Sequence, residues 1–464
     1  MANTWINHPN GSSNNGGGYT GNYAGTWAQW HNGTFGPVAS LVAGLTSNNG
    51  SDKVRITSDA SSYSSVLVGT IAFVDFSIGT HLDGRYEVTA VSGDGAYIDI
   101  NLVYAGEEAT TSSVGGALDS IDDGRALLAA DGDRQLICTN TTTQSTYAMA
   151  AGTYTWPDYN IEVVGVNEAT GGYLSFDPHQ APDAAGNIIP QIYNGSASNT
   201  YYLFGAANFV VGLYFVGYYS GAAVNHNISK IGILLECCFK NDGTGAAIYG
   251  GYCTICSCRI LGKVTSIIHG QLIDCVVIDS SDSGNIVYAS TGLSMYGIIR
   301  GNLIVNAAGT KTTVVGLSLG ITAYYKSNST NNTIVNCASG INIATDNRTG
   351  IGIIAHNLIY NCTNAYSISG DYSAKANQFL FSENAYNGTR NLPAGAHDDE
   401  TDLVLTSDPF VNAAAGDYRL NPAGAQFASL YDADTGERIG AQGPEMPTGG
   451  GGGGNVGRGT MRGM

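Results

Sequence analysis

A five-residue unit recurs along the second half of this chain, and very few folds can use it. It reads Cys237-Cys-Phe-Lys-Asn241, Cys258-Arg-Ile-Leu-Gly262 and Cys275-Val-Val-Ile-Asp279, then Asn302-Leu-Ile-Val-Asn306, Asn332-Thr-Ile-Val-Asn336 and Asn357-Leu-Ile-Tyr-Asn361. Glu383-Asn-Ala-Tyr-Asn387 is a weaker seventh copy, and the anchors step by 21, 17, 27, 30, 25 and 26 residues. Such an irregular period suits a coil of parallel β-strands, in which each coil supplies two or three short strands and loops of variable length absorb insertions. Equivalent residues then lie about 4.8 Å apart, so like stacks on like. An inward Asn at a turn can bond the Asn above and below it, while inward Cys or Val builds an apolar column. The ladder positions predicted on this ground are Cys237, Cys258, Cys275, Asn302, Asn332 and Asn357 at the opening of the unit. Asn306, Asn336 and Asn361 occupy its close.

Composition points the same way. Of 464 residues 64 are Gly, and charged residues make up only 12%. Gly, Asn, Ser, Thr, Tyr and Val abound where a helical bundle would need Leu, Glu, Lys and Arg, so an all-β chain with many tight turns is expected. The net charge of −18 gains nothing from phosphates, which argues against a nucleic-acid partner. The uncharged stretch from Gly186 to Ser229 is broken every few residues by Gly, Tyr, Asn208 or Ser220, and reads as buried strands rather than a membrane insertion. The opening Met-Ala-Asn-Thr-Trp-Ile-Asn-His has neither the basic nor the apolar part of a signal peptide, so synthesis in a host cytoplasm is expected. Nine Cys, eight of them between 237 and 362, fit reduced and buried thiols better than a disulfide scaffold.

Four segments are expected. Residues 1–45 form an extended Gly/Asn/Trp-rich arm, and Trp5, Trp27 and Trp30 on it either dock on a partner as anchors or pack on the chain's own next domain. Residues 46–113 hold short strand signals such as Val54-Arg55-Ile56 and Tyr86-Glu87-Val88-Thr89-Ala90-Val91, with Asp83-Gly84 and Gly93-Asp94-Gly95 as turns, and predict a small β-barrel or sandwich. The repeats occupy 114–445, opened by a capping helix between Val114 and Ala130. Residues 446–464 form a flexible tail, in which six glycines precede Arg458 and Arg462. This cationic stretch on an acidic protein could lie against a partner's acidic surface.

These features together resemble the right-handed parallel β-helix proteins of the pectate-lyase-like superfamily, of the kind found in phage structural proteins. Ala151-Gly152-Thr153-Tyr154-Thr155 and Val163-Val164-Gly165-Val166-Asn167 look like the strands that open such solenoids. Ser407-Asp408-Pro409-Phe410-Val411-Asn412, running on through Gly416-Asp417-Tyr418-Arg419-Leu420-Asn421-Pro422, is similar to their closing motif. The resemblance implies a homotrimeric spike, fibre or capsid-attached protein, located on a virion and contacting other virion proteins and host surface polysaccharide. Fold likeness alone says little about chemistry.

The chemistry in the sequence is thin. Asp274, Asp279 and Asp282 lie in one coil, with Arg300 and Asp346 later, yet no acidic cluster with a basic partner recurs on successive coils as a lyase would need. Cys253, Cys256 and Cys258 with His269 invite a zinc site, but the second ligand pair is missing and stacked core thiols account for them better. No catalytic residue, cofactor or metal is therefore assigned. The expected function is a non-enzymatic virion structural protein anchored by its N-terminal region. The alternatives are a glycan-cleaving tailspike or secreted polysaccharide lyase or hydrolase, and a bacterial surface adhesin.

Overall fold

The computed structural model describes residues 2–31, 42–59, 62–149, 152–194, 200–204, 208–218, 222–226, 232–251, 253–267, 270–280, 283–291, 297–309, 313–321, 326–345, 351–369, 379–392, 397–398, 401–431 and 438–441. Ala151, His269, Asp282, Asp346 and the segment 446–464 lie outside this set. The fold is all-β, a right-handed parallel β-helix preceded by a small barrel. The chain forms two compact units, Met1–Asp279 and Ser280–Met464.

In the first unit six antiparallel strands close the barrel: Val42–Asn48, Lys53–Thr57, Ile71–Phe76, Gly84–Val91, Tyr97–Val103 and Ala109–Val114. Their alternation places Val54, Ile56, Ala72, Val74, Val88, Ile98 and Ile100 inside, all fully buried. The capping helix is shorter than the sequence pattern predicts. It runs only over Ile121–Ala126, because the Ser120 side chain accepts from the Asp122 and Asp123 N–H groups and starts the helix there.

The solenoid of this unit stacks three parallel sheets. The first runs through Arg134–Thr139, Glu162–Asn167, Phe209–Val211, Ile233–Leu235, Thr254–Cys256 and Gln271–Ile273. The second runs through Thr146–Met149, Gln191–Asn194, Tyr214–Gly217, Cys238–Asn241, Arg259–Leu261 and Val276–Asp279. The third begins with Gly152–Thr155 and Thr200–Phe204. In register, Val163, Val210, Leu234, Ile255 and Leu272 point inward and are fully buried.

The N-terminal segment is extended but does not stand apart. Asn3–Asn7 adds to the first sheet, parallel to Arg134–Thr139, and pairs antiparallel with Gly18–Thr20. Its glycines serve close approach: a Cβ on Gly16 would sit 1.8 Å from the Ile71 carbonyl oxygen, and one on Gly18 would sit 1.9 Å from that of Thr4.

In the second unit the sheets run through Gly297–Arg300, Lys326–Thr330, Ile351–Ala355 and Phe379–Ser382; through Leu303–Asn306, Thr333–Val335, Leu358–Tyr360 and Ala385–Tyr386; and through Gly284–Thr291, Val314–Ile321, Ser339–Thr345 and Asn364–Ser369. The closing motif forms the hairpin Phe410–Asn412 with Asp417–Leu420, and Phe410 meets Tyr360 edge-on. The segment Arg438–Ala441 then lies along the second sheet, where Ala441 N–H donates to Thr333 Oγ1 and Gly440 N–H to the His356 carbonyl.

Candidate functional site

The ladder residues are built by one recurring corner. Between the first and second sheets a residue takes a left-handed conformation, and the residue after it points inward. In the first unit the left-handed positions are Gly212, Glu236, Ser257 and Asp274; in the second they are Gly301, Asn331, His356 and Glu383. Cys237, Cys258 and Cys275 follow them, fully buried, with the Cys237 N–H directed at Cys258 Sγ and the Cys258 N–H at Cys275 Sγ, each at 3.4 Å. Each thiol in turn donates at 3.2 Å to the carbonyl two residues before it. Burial pushes the Cys253 and Cys258 thiols well up, so they are neutral and inert at physiological pH.

The Asn column of the second unit is stronger. Asn302, Asn332 and Asn357 are fully buried, and Asn332 and Asn357 carry their side-chain oxygens under the preceding rung. Asn332 Oδ1 accepts from the Asn302 N–H (3.0 Å) and Nδ2 (2.9 Å); Asn357 Oδ1 accepts from the same groups of Asn332 (3.1 and 3.0 Å). The next rung corrects the repeat alignment. The column continues at Asn384 rather than Glu383, with Asn384 Oδ1 accepting from Asn357 N–H and Nδ2 at 3.0 Å. Glu383 occupies the left-handed corner instead, where its carboxylate meets His356 Nε2 at 2.5 Å. The column ends on Asp402. Its Oδ1 takes both donors of Asn384 and its Oδ2 meets Arg390 at 3.1 Å. An acceptor-only group suits the end of a column in which each rung's Oδ1 takes the N–H and one Nδ2 hydrogen of the rung before it.

At the closing corner Asn306 is fully buried, whereas Asn336 and Asn361 are half-buried and left-handed, joined by Asn361 Nδ2 to Asn336 Oδ1 at 2.6 Å. Cys337 and Cys362 form a further thiol rung, with the Cys337 N–H directed at Cys362 Sγ at 3.4 Å.

Cys256 and Cys258 do not share a face, contrary to their alternation in sequence. The left-handed Ser257 turns the corner between them, leaving Cys256 half-buried on the outside and Cys258 in the core. Among the described residues no group of three or more His, Cys, Asp or Glu is placed to hold a metal. Asp274 is exposed at one corner of its coil and Asp279 buried at the other, so the two carboxylates do not face one another; Arg300 is exposed in the second unit. Asp123 is raised by burial and by Asp119, a consequence of crowding acids into the helix's first turn.

Of the two expectations for the tryptophans, the structure shows packing on the chain itself. Trp5 and Trp30 are each only 5% exposed, and Trp30 packs on Leu136, Val164 and Val211, the outward side of the first sheet. The Trp27 indole N–H donates to the Glu168 carbonyl at 2.9 Å. Large aromatics on a Gly-rich segment are here the lid of the chain's own sheet, so they are not free to dock elsewhere.

Beside that lid lies a surface the repeats do not reveal. Arg134 and Glu162 stand one coil apart in register, with Arg134 Nε donating to Glu162 Oε2 at 2.6 Å. The Tyr173 hydroxyl bonds both; the residue is 54% exposed, and its ring centroid lies 5.8 Å from the guanidinium carbon. Burial alone would lower the Arg134 guanidinium, but Glu162 and Tyr173 outweigh it and hold it above its ordinary value. Tyr19 and Tyr23 stack at 4.8 Å nearby, and burial pushes the Tyr23 hydroxyl up to about 12. Phe209 and the 40%-exposed Ile233 continue the column beyond Glu162. An exposed ring backed by a fixed cation and carboxylate can stack on an apolar sugar face and bond its hydroxyls. One charge pair at one-coil spacing in a charge-poor solenoid was the only sequence signal for it.

The class these features define is the right-handed parallel β-helix. Among solved structures the chain is similar to pectate lyase Pel9A, at 12% identity over 70% of this chain and 91% of that one, with a TM-score of 0.37. It is also similar to the catalytic domain of a GH87 α-1,3-glucanase in complex with tetrasaccharides, at 10% identity over 80% and 90%, TM-score 0.27. A third is the catalytic unit of the thermostable GH87 α-1,3-glucanase from Streptomyces thermodiastaticus, at 11% over 80% and 87%, TM-score 0.26. No protein-family model and no curated protein matches the sequence.

Proposed function

We propose that the protein is a non-catalytic structural component of a phage particle, assembled as a homotrimer, whose β-helix contacts a host saccharide through the Arg134–Glu162–Tyr173 surface. The observation that carries the saccharide contact is the exposed Tyr173 ring held by both members of the ion pair. Glu162 is already engaged by Arg134 and Tyr173, an arrangement suited to hydrogen bonding rather than to nucleophilic attack or proton abstraction. Ladder columns occupy the polar interior, which supports a scaffold reading. The particle and the trimer rest on the sequence resemblance.

The test uses purified polysaccharides from candidate hosts. A binding polysaccharide is expected to lose at least about tenfold in affinity for Tyr173→Ala, with an unchanged melt, because base or sugar stacking on one aromatic contributes on the order of a kcal/mol or more. New reducing ends or unsaturated uronates in the same mixture would show an enzyme and sink the reading. Absence of the protein from intact particles washed in high salt would remove the virion assignment.

A further inference from the structure

The barrel carries a feature that neither its core nor the solenoid explains. Strand order puts the loops 49–52, 77–83 and 104–108 at the end opposite Ile71 and Val114, where the chain enters the solenoid. At this far end Ile78 is 72% and Leu82 80% exposed, with Leu45 and Val103 more than half exposed beside them. Two such side chains on one loop are uncommon at a protein surface, and this loop is held fast rather than loose.

The support is a buried pair. Glu108 Oε1 accepts from the His81 N–H (2.9 Å) and meets His81 Nδ1 (2.5 Å), and Oε2 accepts from the Ile78 N–H (3.1 Å). His81 Nε2 accepts from the Ala105 N–H at 2.9 Å, so the ring proton lies on Nδ1 and points at the carboxylate. Both side chains are almost wholly inaccessible. Asp83 Oδ1 accepts from the Phe76 N–H at 2.7 Å, and the Tyr86 hydroxyl donates to the Leu82 carbonyl at 2.5 Å. A loop pinned at both ends presents its apolar tips at little entropic cost on binding, which is how docking anchors are built.

The rim sets the partner's charge. The three loops carry the exposed carboxylates Asp52, Asp83 and Glu107, against one flanking cation, Lys53, whose Nζ donates to Asn101 Oδ1 at 2.9 Å. A second barrel tip would therefore be repelled. Residues 446–464 of the same sequence have the complementary chemistry: Val456, Met461 and Met464 alternate with Arg458 and Arg462, no Asp or Glu intervenes, and six glycines precede them. Met adapts its shape to an irregular apolar surface, and Arg pairs well with carboxylates.

We infer that the acidic, apolar tip of the barrel receives residues 446–464 of a second copy, a head-to-tail contact through which copies assemble. A contact of this heterologous kind closes into a ring when the rotation between copies allows, three being one closure. The inference rests on the homo-oligomer part of the proposed function and not on the saccharide surface.

A fluorescent peptide of residues 446–464, titrated with the full-length protein, is expected to bind saturably and more weakly as salt rises. Full-length protein carrying Ile78→Asp and Leu82→Asp should bind it at least about tenfold more weakly, while Ile78→Val with Leu82→Met should retain binding. A peptide carrying Arg458→Glu and Arg462→Glu should not bind. Light scattering on full-length protein with either set of charge changes should show assembly lost, with an unchanged melt. Equal binding by the Ile78→Asp, Leu82→Asp variant, or no binding to full-length protein whose own tail carries Arg458→Glu and Arg462→Glu and so leaves the tip free, overturns the inference, as does attachment to anionic vesicles in place of the peptide. A trimer that persists in every variant overturns the contact but keeps the homotrimer; a monomer throughout, with the peptide still bound at the tip, overturns the homotrimer and shows the segment seated within one chain.

Discussion

Truncating one rung of the Asn column gives the most direct measure of what holds the second unit together. In Asn357→Ala the Asn332 main-chain N–H loses its acceptor, Asn357 Oδ1, inside a dry core. The Ser329 carbonyl loses the Asn357 Nδ2 donor at 2.9 Å, and the Ala355 carbonyl loses it at 3.1 Å. Asn332 Nδ2 keeps the Ile299 carbonyl, and Asn384 Oδ1 keeps the Asn357 N–H, so those groups are only partly affected. An orphaned buried donor costs about 1–3 kcal/mol and each lost bond about 1, which puts the total at roughly 3–5 kcal/mol. For a unit of this size that lowers the melting midpoint by about 10 °C. Cys337→Ala in the same unit is the control, because its thiol bonds the Val335 carbonyl only weakly, at 3.4 Å, and should cost only about 1–2 kcal/mol. Asn357→Asp adds a pH signature. It keeps the acceptor but turns a carboxylate toward two carbonyls and Asn384 Oδ1, so its folded pKa rises above the unfolded value of about 3.9. The added destabilisation is then small below about pH 4 and grows as pH rises toward the folded pKa. Guanidinium titration and hydrogen exchange at the Asn332 amide measure both effects. If Asn357→Ala costs no more than Cys337→Ala, the column is not what stabilises these coils.

Four further outcomes follow from the same geometry. Ser257→Val should destabilise by about 1–3 kcal/mol in a denaturant titration, since a β-branched residue is forced into a left-handed corner, whereas Ser257→Gly should be nearly neutral. A thiol reagent at pH 8 should modify only Cys256 in the folded protein, because the other eight cysteines are buried; three or more reactive thiols without unfolding would contradict the packing. Glu108→Gln should lower the barrel's melting temperature. Burial alone would raise Glu108, but the His81 side chain and the N–H groups of His81, Ile78 and Thr80 outweigh it and hold it below its ordinary value, so the stability it supplies is present above the unfolded pKa and lost as pH falls through the folded one. Deleting residues 1–31, which leaves the barrel strand Val42–Asn48 whole, should unfold the first coils rather than merely release an arm, because it uncovers Leu136, Val164 and Val211; a truncated protein with an unchanged melt would refute this.

The ladder positions were legible because stacking is a local rule applied repeatedly. Any residue that meets its own kind every coil must be one that tolerates itself, and Asn302, Asn332 and Asn357 announce this without coordinates. The weak copy at Glu383 lies one residue off the column for a related reason: the left-handed corner and the inward position are neighbours, and only backbone angles separate them. The same corner split Cys256 from Cys258.

Sequence alone determined the all-β parallel coil, the inward columns and the poverty of charge, since period and self-complementarity are properties of the chain itself. Tertiary structure alone decided which residues meet across long separations. Trp30 became a lid on Val164 instead of an anchor, Arg134 and Glu162 came together with Tyr173, and Glu108 closed on His81 to hold Ile78 and Leu82 in water. Burial, pairing and exposure depend on which surfaces the fold brings face to face, and no periodicity encodes that.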